Sequence, residues 1–104
     1  MTESVQKIVE ILSLLRSDSI SYQDNPRKLL DKYNLMFLGD KANTIYTNDL
    51  IITINDYFNM NISNNVLQEL IPEACEILHM KYEPMKALND MNNPIPHCYQ
   101  IVLW

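Results

Sequence analysis

The stretch TNDLIITINDYFNMNISNNVLQELIPEACEILHM, residues 47 to 80, decides the fold. Ile51, Ile52, Thr53 and Ile54 are β-branched and favour a strand by composition. Spacing points the other way. Leu50, Ile51, Ile54, Tyr57 and Phe58 fall on one helical face, whereas Asn48, Asp49, Asn55, Asp56 and Asn59 fall on the other, so the segment is expected to be an amphipathic helix. After a polar turn from Asn59 to Ile62, Ser63 is placed to cap a further helix with the stripe Val66, Leu67, Leu70, Ile71, Ala74, Cys75 and Leu78. Pro72 removes one backbone bond and is expected to kink or split that helix, with Glu73 and Glu76 suited to the first turn of a restarted one.

Upstream, Val5, Ile8, Val9, Leu12 and Leu15 mark a helix from Glu3 to Arg16. Ser17 to Asn25 is polar, and Asp24-Asn25-Pro26 offers a cap with proline at the first helical position, where its missing N–H costs nothing. The helix that starts there is expected to bury Leu29, Leu30, Tyr33, Met36 and Phe37 and to end at Gly39 in the left-handed conformation. Lys41 to Tyr46 connects, with Ile45 and Tyr46 as a short strand. Downstream, Tyr82 to Leu88 and His97 to Trp104 read as extended, joined by a loop from Asn89 to Pro96.

The expected class is therefore α+β and mostly helical, with four or five short helices followed by a C-terminal β-hairpin in one domain, residues 1–104. Over residues 45 to 104 the order of elements resembles a winged helix, with Asp49 to Phe58 and Ser63 to Met80 as the helix-turn-helix pair and the hairpin as the wing. That resemblance rests on element order and implies a shape rather than an activity.

A chain of 104 residues with 47% hydrophobic residues can bury a real core without metals or disulfides. No apolar run approaches the roughly 20 residues of a membrane span, and the acid in Met1-Thr2-Glu3-Ser4 is unlike a secretory leader. A cytoplasmic location with both cysteines, Cys75 and Cys98, reduced is expected. Twelve asparagines and twelve isoleucines against three alanines suggest an AT-rich gene and a phage or mobile-element source. The one glycine rules out glycine-rich phosphate and dinucleotide loops.

Charge is the most informative feature. The net charge is −5, residues 1 to 41 and 81 to 104 each sum to zero, and the whole imbalance lies in residues 42 to 80. There Asp49, Asp56, Glu69, Glu73 and Glu76 stand without a single lysine or arginine. A recognition helix must neutralise phosphates, so nucleic acid is not the expected partner; any such role would fall to Arg16, Arg27, Lys28, Lys32 or the lysines of the hairpin. A one-signed face attracts a basic protein instead, for example a nuclease or a nucleic-acid-binding protein, and speeds the encounter. The expected function is an inhibitor or immunity-type domain whose partner-binding residues are Asp49, Asp56, Glu69, Glu73 and Glu76. The bland alternative is the solvated side of two amphipathic helices. The competing function is a winged-helix DNA-binding regulator or replication accessory protein of a mobile element, and a homodimer is left open.

No catalytic residue, cofactor or metal is expected. Cys75 and His79 would share a face of an unbroken helix, but His97 and Cys98 are strand neighbours pointing to opposite sides, which disfavours a shared zinc. Glu69, Glu73 and Glu76 on an outer face should simply ionise, without the pocket that general acid–base work requires. Met60, Met80, Met85 and Met91, with Tyr82, Tyr99 and Trp104, form either an adaptable apolar patch or a cover over the helices, and the second is favoured.

Overall fold

Val5, Ile8, Ile11, Leu12 and Leu15 recur three and four residues apart and are all buried, which commits the first segment to a helix. In the computed structural model, which describes residues 3–85, 96 and 98–104, this helix is α1 (Glu3–Ser21). It extends past the expected end at Arg16, because the polar residues that follow are used internally. Ser19 is buried and donates to the carbonyl of Ala42 at 2.6 Å. Asp18 accepts from Lys32 at 3.0 Å and from the Tyr33 hydroxyl.

Helix α2 (Pro26–Tyr33) begins with proline in its first turn, as expected, but Asn25 before it makes no side-chain capping bond, and the helix stops earlier. Asn34 takes the left-handed conformation (φ 52°) and its N–H returns to the Leu30 carbonyl, a stop that asparagine provides nearly as well as glycine. The chain then runs extended, with Leu35 and Phe37 buried while Met36 and Leu30 are exposed. Gly39 (φ 88°) instead opens the tight turn in which Leu38 and Thr44 exchange backbone bonds.

The short strand β1 (Thr44–Tyr46) leads directly into α3 (Thr47–Asp56), followed by α4 (Asn64–Leu78), β2 (Lys81–Met85) and β3 (Cys98–Val102). The fold is α+β: among the described residues there are four helices and one antiparallel sheet in the order β1-β3-β2. The loop expected at Asn89 to Pro96 lies outside the described residues except for Pro96. Pro72 neither splits nor ends α4; its missing N–H leaves the Gln68 carbonyl without its usual donor inside an otherwise continuous helix.

The register places Ile101 between Ile45 and Tyr82, so the inward side of the sheet meets the helices. One buried cluster joins Leu12, Leu29, Ile45, Leu50, Leu67, Ile71 and Ile101. Met80 and Tyr99 are buried in it, and Met60, Tyr82 and Trp104 pack against it. The C-terminal aromatic covers the helices: Trp104 donates its indole N–H to Ser19 at 2.9 Å, and Asn43 donates to its carbonyl at 2.6 Å. Met91 lies outside the described residues. No described helix is long and apolar enough to cross a membrane.

The Asp18–Tyr33 contact predicts how stability follows pH. Desolvation alone would raise the Asp18 pKa, but donation from Tyr33 and Lys32 outweighs it and holds the carboxyl below its ordinary 3.8. Its contribution is therefore present above about pH 4 and lost as pH falls through the lowered folded value. Tyr33 is pushed up to about 12, by burial first and then by Asp18, so its contribution is complete below about pH 10 and lost as pH rises toward 12. Urea midpoints measured across pH should show both losses in the wild type, and both should be smaller in Tyr33→Phe. Identical profiles for the two proteins would contradict this reading.

Candidate functional site

The site is built on α4, whose two ends are held firmly. At its start the Ser63 hydroxyl accepts from the Val66 N–H at 3.2 Å. The turn before it is clamped by Asn55, which donates to the Ile62 carbonyl and accepts from the Ile62 N–H, both at 2.9 Å. At its end His79 adopts φ 57° and returns its N–H to Cys75 and Glu76 carbonyls, satisfying groups that a helix terminus leaves open. Arg16 of α1 donates to the Leu78 carbonyl at 3.1 Å, so this arginine serves helix packing.

Sequence reading places Val66 and Leu70 in the buried stripe of α4, and the structure corrects this. Val66 is 41% exposed, Leu70 is half-buried, and Ile77 is 41% exposed. The helix is turned toward Gln68, which is only 1% exposed. Its side chain accepts from the Thr47 hydroxyl at 2.6 Å and donates to Asn64 at 2.9 Å. A buried glutamine carries no hydrophobic signal, so the spacing of apolar residues alone could not reveal the rotation.

Glu69, Glu73 and Glu76 are all exposed, and their four- and three-residue spacing sets them on one stripe of α4. Val66, Leu70 and Ile77 border it. Asp49 and Asp56 are exposed on α3, seven residues apart and thus on one side, with Ile52 also exposed between them. The two groups have different surroundings. Asp56 lines a cleft of about 210 Å³ between α2 and α3, together with Asp31, Lys32 and Tyr57. Glu76 accepts from the Tyr82 hydroxyl on β2 at 3.1 Å, a bond that heads the causes raising the tyrosine pKa. The five residues thus form two acidic stripes on two helices.

None of the five is in an ion pair among the described residues, where Lys32–Asp18 is the pair that forms. Within α4 the neighbours Glu69/Glu73 and Glu73/Glu76 repel by a few tenths of a kcal/mol each. A cationic partner would relieve that repulsion as well as supply attraction.

The remaining chemistry-bearing residues are occupied structurally. Cys75 is fully buried and its thiol is pushed up to about 12, by burial and then by Glu76. Burial also raises Cys98, so neither is a ready thiolate. His79 sits beyond the helix end and is exposed, so it does not share a face with Cys75. His97 lies outside the described residues. Among the described residues no group of three histidine, cysteine or acidic side chains is placed to hold a metal. Tyr57, expected to be buried, is 45% exposed and packs edge-on against Tyr33 with ring centroids 4.9 Å apart. Searches among protein-family models, curated proteins and solved structures find no match to this chain.

Proposed function

We propose that this chain is a small acidic protein-binding domain of the inhibitor or immunity type, which covers a basic active site or nucleic-acid-binding surface of a partner protein. One observation carries the reading: Asp49, Asp56, Glu69, Glu73 and Glu76 are all exposed, in a 39-residue stretch without lysine or arginine. On α4 the stripe Glu69, Glu73 and Glu76 lies beside exposed Val66 and Ile77. Charge there steers the encounter, and the apolar border supplies surface that a complex can bury.

The test uses the tagged protein to capture its partner from the cell of origin, then measures affinity against salt for wild type and Glu73→Lys/Glu76→Lys. The double reversal is expected to weaken binding by about 10- to 100-fold at low salt, with the two curves converging as salt screens the charges. Equal affinity and equal salt dependence would remove the electrostatic mechanism.

A second reading is a winged-helix DNA-binding regulator or replication accessory protein of a mobile element. It is favoured by the entry of β1 into α3, the clamped turn between α3 and α4, and the pairing of β3 with both β1 and β2. Against it, the outer side of α4 is acidic where phosphates would approach. A mobility shift on duplex DNA at low salt that disappears steeply with added salt would favour this reading over the first.

A further inference from the structure

We propose that the outward face of the sheet binds a second copy of this chain, forming a weak two-fold dimer. The register aligns Thr44, Val102 and Lys81 in one row across the strands, and Tyr46, Gln100 and Glu83 in the next. Side chains alternate along a strand, and Ile45 and Ile101 between the rows are fully buried toward the helices. The two rows therefore share the opposite face. None of their six residues is buried, and Lys81 and Glu83 are exposed. A groove of about 520 Å³ is lined by Met80, Lys81, Tyr82, Glu83, Gln100 and Val102, four of which belong to these two rows.

A two-fold axis running across the strands at the level of Ile101 turns each row onto the other. Lys81 then faces Glu83 of the second copy, Val102 faces Gln100, and Thr44 faces Tyr46. The symmetry makes the charge pair twice, and neither residue forms an ion pair within the chain among the described residues. Such self-complementarity is what an isologous interface requires.

Edge-to-edge pairing through β2 is disfavoured. The N–H groups of Tyr99 and Leu103 go to Thr47 and Asn43, on the β1 side of β3. Gln100 and Val102 therefore turn their backbones to β2, and bond Glu83 and Lys81. Tyr82 and Pro84 are left facing the outer edge, which pairs with no other strand among the described residues and where proline has no N–H to give. Association is thus directed to the face. Three short strands make a small interface, below the roughly 1,200 Å² of stable complexes, so dissociation constants on the order of 100 μM are expected.

This face uses none of the five carboxylates assigned to the partner protein, so its test is independent of that function. Light scattering of the purified chain from about 10 μM to about 1 mM should show the mass rising from one copy toward two. Lys81→Glu and Glu83→Lys should each weaken association by at least about tenfold, since each replaces attraction with like-charge contact. Combining them should restore it to within about threefold, because the swapped pair is again complementary. Circular dichroism checks that each variant remains folded. A monomer throughout the range would overturn the proposal, as would single variants that dimerise normally or a double variant that is not rescued.

Discussion

Replacing Ile101 by alanine is expected to lower the unfolding free energy by about 3–4 kcal/mol, combining lost transfer energy with the cavity left behind. Ile101 is fully buried in the central strand, between Ile45 and Tyr82. Strands bonded on both sides cannot slide inward to fill the gap, which puts the cost toward the upper part of the range. Domains of this size have about 5–15 kcal/mol in total. At about 4–8 °C per kcal/mol, the melting temperature should fall by about 12–30 °C. Val102 provides the comparison, being half-buried on the outward face, and Val102→Ala should cost well under half as much. Similar losses at the two positions in urea titrations would mean that the sheet does not bury the side assigned here.

The inward side of this sheet shows where sequence patterns suffice and where they do not. Helix α3 was legible because its apolar spacing opposes its β-branched composition, and burial of Leu50 and Ile54 together outweighs a weak intrinsic preference. Ser63 was legible as a cap because the hydroxyl that ends the preceding turn is three residues from the N–H it accepts. Asn34 was not: the apolar residues Leu35, Met36 and Phe37 continue past it, and only the left-handed backbone reveals that their period has changed from helical to alternating. Ser19 and Gln68 were illegible for a different reason. Each is a polar residue buried by a partner more than twenty positions away in sequence, and no local pattern encodes such a partner. The candidate site inherits this limit. Exposure of the five carboxylates followed from the amphipathic pattern, but the apolar border at Val66 and Ile77 depends on how Gln68 turns α4.

Thr47 gives that dependence a sharp consequence. It is fully buried, and its hydroxyl accepts from the Tyr99 N–H at 2.7 Å while donating to Gln68 at 2.6 Å, so one oxygen joins α3, β3 and α4. Thr47→Val keeps the shape but removes that oxygen, leaving a buried backbone N–H and a buried amide oxygen each without a partner. With each orphaned group costing about 1–3 kcal/mol, the variant should lose about 2–5 kcal/mol of stability. Thr47→Ser keeps the oxygen and gives up one methyl group, so its loss should be nearer 1 kcal/mol. Adding Gln68→Leu to Thr47→Val removes one of the orphans, and the pair should be less destabilised than the sum of the single changes. Chemical denaturation of the wild type, Thr47→Val, Gln68→Leu and the double variant measures the coupling directly. Strict additivity would show that Gln68 is held in the core by something other than Thr47, and the orientation of the acidic stripe on α4 would then need another cause.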